Sequence, residues 1–282
     1  MPLLDLVNEL LLSISDNLDS ERDINAFSQT NSRLYNVLNT YLYHHNIQRL
    51  ESSGLWWAAQ QGQEATTRRF LEGGADVEVK DPLGRTPLSQ AAMNGHDAIV
   101  KLLLDTGKVE VDSKDSSGQT PLYWAAMCGH DVIVKRLLDT GKVDVSSRAS
   151  YGRTPLSRAA HHGHDVVVGL LLDTGKADVS SKDASYGRTP LAEAARCGHD
   201  TIVKQLLDTG KVDAYSKDFQ GRTPLSEAAR CGHDTVVKLL LDFGKDVDSK
   251  GSSGAGHNVV VKRLLNKGAD IETKDKNSQT PL

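Results

Sequence analysis

Aromatic side chains are scarce in this 282-residue chain, at 5% of residues, and cysteines number three. No apolar run approaches the roughly 18 residues that a membrane span needs, so no membrane role is expected. The first dozen residues are apolar, but Asp5, Asn8 and Glu9 interrupt them and no basic segment precedes them, which argues against a signal peptide. Basic excess is lacking too: the net charge is −4, where a nucleic-acid-binding domain is expected to be basic. No phosphate-binding glycine loop, nucleophile elbow or paired-carboxylate motif occurs, so the expectation is a binder that is not an enzyme and needs no cofactor.

What the chain has is repetition. From Asp81 to about Lys250 the string DxxGRTPLSxAAxxGHDxIVKLLLDTGKVDVxSK recurs, with Thr-Pro-Leu beginning at Thr86, Thr120, Thr154, Thr189 and Thr223, at gaps of 34, 34, 35 and 34 residues. Gly-His places His96, His130, His164, His199 and His233 at the same gaps. Self-similarity at a fixed period of this size marks a repeat architecture.

Each copy reads as a helical hairpin. Thr86 is suited to cap the first N–H groups of a short helix, and Pro87 loses no needed donor at the first helical position. Leu88, Ala91 and Ala92 give that helix an apolar side, and Gly95 can take the left-handed conformation that stops it. His96-Asp97 opens a second helix, in which Ile99, Val100, Leu103 and Leu104 share one face until Gly107. Such a hairpin cannot bury both faces alone, so stability must come from stacking on the next copy. The repeat resembles the ankyrin repeat over roughly residues 52–282. The resemblance implies an all-α array that binds proteins through its loop tips and first helices.

Residues 1–50 do not repeat. Leu6, Leu10, Ile14 and Leu18, and again Leu34, Leu38 and Leu42, fit helical spacing and predict a small helical module. The stretch is similar to the F-box, by which substrate receptors dock on the adaptor of SCF-type ubiquitin ligases. The matching positions are Leu6, Glu9, Leu10, Ile14, Leu18, Ile24, Phe27 and Leu34, while Val7 stands where that family usually has proline. The same helices also suit a cap over the apolar end of the array, which a solenoid needs in any case. Leu55–Lys80 lacks Thr-Pro and reads as a capping repeat, with Trp56 and Trp57 expected to bury against a preceding helix.

Several positions carry candidate chemistry. His161-His162-Gly163-His164 suggests zinc, but His164 is only the copy of His96, and no acidic or thiolate partner stands at ligand spacing. Cys128, Cys197 and Cys231 all occupy the position before Gly-His. Neighbouring helices sit about 8–10 Å apart, beyond disulfide reach, so reduced thiols are expected. A Cys–His catalytic reading fails on the triple occurrence, since an active site is normally single. Arg85, Arg153, Arg188 and Arg222 recur before Thr-Pro-Leu, and Arg158, Arg196 and Arg230 add charge to first helices. They could hold an acidic peptide or form a solvated charge ladder, with Glu193 and Glu227 at pairing distance from Arg196 and Arg230. Tyr123, Trp124, Tyr151, Tyr186 and Phe219 fall at variable positions, and exposed aromatics beside arginine are common hot-spot material. The expected binding groove therefore comprises Arg85, Trp124, Met127, Tyr151, Arg153, His161, His162, Tyr186, Arg188, Arg196, Phe219 and Arg222.

Together these readings predict an F-box-like module over 1–50 and ankyrin repeats over 52–282: one capping repeat, five full ones, one lacking its first helix near 251–278, and a stub at 279–282. In the seventh copy Gly254 and Gly256 stand two residues apart where intact copies have eleven, so nine residues have gone. Loose packing of 251–282, and a truncated or mis-spliced chain, are the expectations there. The expected function is substrate receptor of an SCF-type ubiquitin ligase, monomeric apart from its adaptor and target, in the cytoplasm or nucleus. The alternative is an intracellular scaffold without a ubiquitin link.

Overall fold

The structure, a computed structural model, describes residues 53–249, with side chains to residue 244. The docking positions Leu6 to Leu34, and the broken repeat and stub after residue 250, lie outside the described residues. Within them there are twelve α-helices and no strand. The helices are α1 (Ser53–Gln60), α2 (Glu64–Glu72), α3 (Pro87–Asn94), α4 (Asp97–Asp105), α5 (Pro121–Cys128) and α6 (Asp131–Asp139). They continue with α7 (Pro155–His162), α8 (Asp165–Asp173), α9 (Pro190–Cys197), α10 (Asp200–Asp208), α11 (Pro224–Cys231) and α12 (Asp234–Ser249).

Every Thr-Pro helix starts in the same way. The Oγ1 atoms of Thr86, Thr120, Thr154, Thr189 and Thr223 each accept from the backbone N–H three residues on, at 3.2 Å, with proline at the first helical position. These caps satisfy donors that a helix leaves orphaned, and each contributes on the order of 1 kcal/mol. The second helices stop at a different device. Thr106 Oγ1 donates to the Leu103 carbonyl at 2.6 Å, repeated at Thr140, Thr174 and Thr209, one residue before the expected glycine stop. In the last described helix this threonine is Phe243, which has no hydroxyl, and α12 runs on for 16 residues where its counterparts have 9.

The chain divides into two compact units, Met1–Glu110 and Val111–Leu282. In the first, α1 packs on α3 and α2 on α4. In the second, the first helices α5, α7, α9 and α11 stack in succession, and so do α6, α8, α10 and α12. Of the apolar positions named above, Leu88, Ala91, Ala92, Ile99, Val100 and Leu103 are buried and Leu104 is half-buried; Leu156, Ala159, Ala160, Val167, Val168 and Leu171 are buried in another copy. The capping repeat departs from expectation at Trp57, which is 50% exposed, with Trp56 half-buried. The buried face of α1 is Leu55, Ala58 and Ala59, an i, i+3, i+4 stripe that leaves Trp57 to one side.

Within each unit, histidine ties a copy to the one before it. His96 Nε2 lies 3.1 Å from the Gln60 carbonyl oxygen, His164 Nε2 3.0 Å from Met127 O, and His233 Nε2 3.0 Å from Arg196 O. At Gly163 the glycine of Gly-His is required on two counts. Its φ is 81°, and a Cβ there would stand 2.6 Å from the His199 ring of the next copy.

Candidate protein-binding surface

The turn before a Thr-Pro helix is organised around one aspartate in four of the five copies, at Asp81, Asp115, Asp183 and Asp218, while the remaining copy has Ala149. Asp81 Oδ1 accepts from the backbone N–H groups of Leu83 and Arg85, both at 2.8 Å, while Oδ2 takes Arg85 Nε and Gln90 Nε2, both at 2.7 Å. Burial alone would raise the Asp81 pKa, but the backbone and side-chain hydrogen bonds from Arg85 hold it below the usual range. Asp115 repeats the pattern with Ser117 and Gln119 as backbone donors and Trp124 Nε1 on Oδ2 at 3.1 Å. At Asp218 the backbone donors are Gln220 and Arg222, and Arg222 Nε reaches Oδ2 at 3.1 Å and Glu227 Oε1 at 2.6 Å.

Most of the expected arginine ladder is thus part of the fold. The carboxylates of Asp81, Asp218 and Glu227 are each 1% exposed, so a solvated ladder is not what forms there. Arg188 follows a turn that is one residue longer, and its guanidinium lies 3.6 Å from Glu193 and 3.8 Å from Asp218 of the next copy. The intrahelical pairs expected from spacing are present, Arg196–Glu193 at 3.1 Å and Arg230–Glu227 at 2.8 Å. Arg85 belongs to the first unit; the other groove candidates belong to the second.

In the second unit the variable aromatics separate. Tyr123 is buried in the stack, so it has a fold role. Trp124 is half-buried, anchored by its indole N–H on Asp115, and Met127 is half-buried as well. Tyr151, Tyr186 and Phe219 are 65%, 46% and 55% exposed on successive turns. Backbone bonds join these turns: Ala184 N donates to Tyr151 O at 2.6 Å and Phe219 N to Tyr186 O at 2.8 Å. Arg153 stands 5.6 Å from the Tyr151 ring centre and Arg188 4.4 Å from that of Tyr186, within cation–π range. From Tyr186, contact runs through Arg188 to Glu193 and on to His161, linking the turns with the first helices.

His161 has the partners that its own neighbourhood in sequence did not offer. Its Nδ1 lies 3.0 Å from Glu193 Oε2 and 3.8 Å from Cys197 Sγ, both on α9 of the next copy. These three ligating atoms lie within 4.8 Å of one another, so donors of metal-binding type do converge here. A cation already shares the carboxylate: Arg196 Nη2 is 3.1 Å from Glu193 Oε2 and 3.1 Å from His161 Nδ1. The hydrogen bonds with Cys197 and with Glu193 push His161 up to about 9. Burial works against ionised Glu193, yet His161, Arg196 and Arg188 hold it down to about 2. His162 is brought to about 4, by desolvation first and then by the Arg158 charge, and as a neutral ring it accepts from Arg158 Nη2 at 2.8 Å. Cys128, Cys197 and Cys231 are free thiols.

Sequence reading missed Glu193 and Cys197 because they stand 32 and 36 residues beyond His161. Stacking of identical helices makes such pairs neighbours, and writing the copies in register would have exposed them. The family model for ankyrin repeats in three copies matches residues 28–115, 55–149, 107–183, 132–218 and 175–251. No curated protein matches the chain.

Proposed function

The chain belongs to the ankyrin-repeat family, whose arrays are protein-interaction modules, and from that premise we propose that it is the substrate receptor of an SCF-type ubiquitin ligase in the cytoplasm or nucleus. The observation that carries this reading is the F-box-like series Leu6, Glu9, Leu10, Ile14, Leu18, Ile24, Phe27 and Leu34, placed ahead of an array that presents aromatic and arginine side chains. The series would dock the adaptor. The target would lie along Tyr151, Tyr186 and Phe219 and across Trp124, Met127 and His161, with Arg153 and Arg158 adding positive charge. Among the described residues no helix is long and apolar enough to cross a membrane.

Co-elution of the full chain with the purified adaptor tests the proposal. Leu10→Asp should abolish the complex while leaving the helical circular dichroism of the repeats intact, and Val7→Pro should strengthen it. Unchanged binding by Leu10→Asp overturns the adaptor role. A second reading, a scaffold without a ubiquitin link in which residues 1–50 cap the array, is favoured by one observation. The family match begins at residue 28, inside that segment.

A further inference from the structure

One copy in the second unit lacks the residue around which the other turns are built. In register, Asp81, Asp115, Asp183 and Asp218 correspond to Ala149, a methyl group where the others carry a carboxylate. The two side chains that converge on that carboxylate elsewhere are Arg85 and Gln90 at Asp81, and Arg222 with Glu227 beside it at Asp218. Their counterparts here are Arg153 and Arg158, two guanidinium groups with no acid between them.

The consequences are visible in the donors that would face that carboxylate, while the N–H groups of Ser150 and Gly152 keep backbone partners. Arg153 has the Tyr151 ring at 5.6 Å and no carboxylate at ion-pair distance among the described residues. Arg158 gives one N–H to His162, and its buried Nε has no hydrogen-bond partner. A buried guanidinium donor left unmatched is costly, and native proteins rarely leave one so. The backbone N–H groups of Tyr151 and Arg153 correspond to the pairs that elsewhere donate to an aspartate Oδ1, such as Ser117 with Gln119, and here that acceptor is missing from the sequence. The turn is redrawn as well. Tyr151 takes φ 62°, making it the one non-glycine residue with positive φ among the described residues, in a short 3-10 turn over Ser150–Gly152. The following aspartate does not compensate, since Asp183 accepts from the backbone of Ser185, Tyr186 and Arg188.

We propose that the turn and first helix of this copy, Ala149 to His162, form a receptor for one carboxylate side chain of an acidic segment in a protein partner, which sits between Arg153 and Arg158 and supplies the acid that Ala149 does not. The inference rests on the reading of the array as a protein-binding module and adds the chemistry of the bound partner. Several points favour a carboxylate over a phosphate. The position accommodates an aspartate carboxylate in its sister copies, Arg158 has one N–H already committed to His162, and planar guanidinium groups match a planar carboxylate. The exposed ring of Tyr151 beside it offers apolar contact to the residue that carries the acid.

The test uses the full chain and a fluorescein-labelled tetraglutamate peptide at low salt, with tetraglutamine as the matched control, read by fluorescence anisotropy. The glutamate peptide should bind at least about tenfold tighter than the glutamine one, and Arg158→Gln should remove that preference. Ala149→Asp supplies the carboxylate in cis, so it should weaken the peptide by about tenfold or more and raise Tm at once. Equal binding by wild type and Ala149→Asp overturns the proposal, as does a phosphoserine peptide that binds tightly without responding to Ala149→Asp. Co-elution with the adaptor is scored on the same variants and should not change. Failure of the acidic site is therefore separable from failure of the ubiquitin reading.

Discussion

His199 Nε2 lies 3.1 Å from the carbonyl oxygen of His161, 38 residues earlier, and its ring rests on Gly163, so one side chain joins two copies by hydrogen bond and by contact. An orphaned carbonyl at the end of α7 gains a donor, and the left-handed glycine leaves room for the donor to arrive. Gly163→Ala would place a methyl group against that ring in a conformation that already costs an L-residue about 1–2 kcal/mol. Urea unfolding should show a loss of at least that size. His199→Ala alone should cost about 1 kcal/mol, and the double variant should lose less than the sum of the two, because both act on one contact.

Arg222 stands between Asp218 and Glu227, whose side chains are each 1% exposed. Without Arg222, Glu227 keeps Arg230 at 2.8 Å and Asp218 keeps Arg188 at 3.8 Å, so the cost is that of lost charge-assisted hydrogen bonds, about 1.5–3 kcal/mol. Arg222→Met should lower stability on that scale. A loss below about 1 kcal/mol would place this network in the class of weak surface pairs.

Trp124→Phe keeps an aromatic ring, smaller than the indole, and removes the N–H that Asp115 accepts, so it should cost at least about 1 kcal/mol in a denaturation experiment. Trp124→Ala should in addition weaken a target protein by about 2 kcal/mol, as read by calorimetry. Full affinity in the alanine variant with a large fall in Tm would confine Trp124 to a structural role.

His161 links stability to pH. Its hydrogen bonds to Cys197 and Glu193 raise it from 6.5 in the unfolded chain to about 9, with Arg196 and His162 as the other charged or titratable neighbours. A raised histidine contributes stability that is complete below pH 6.5 and is lost as pH climbs through 9. Wild type should therefore lose Tm between pH 7 and 9.5 relative to His161→Gln. Parallel curves for the two proteins would exclude this coupling. Glu193 has the opposite sign: held at about 2, its contribution is complete above 4.5 and fades as pH falls towards 2.

The repeat period was legible as self-similarity between copies, and the Thr-Pro starts, the glycine stops of the first helices and the apolar stripes were legible because each depends on residues within one hairpin that lie no more than a few positions apart. The threonine that ends the second helices was equally local, and Phe243 stands in its place in the longer α12. What the sequence could not rank was its charged and aromatic positions. Arg85 and Arg222 look like Arg153 in a string of letters, yet the first two are tied to buried aspartates and the third is not, since Ala149 stands where its aspartate would be. Tyr123 and Tyr151 are both tyrosines at variable positions, and only stacking decides that one is buried and the other 65% exposed. The His161, Glu193 and Cys197 cluster is likewise a product of register between copies. Burial and pairing across more than thirty residues depend on which faces the stack closes, and that is a property of the assembled array.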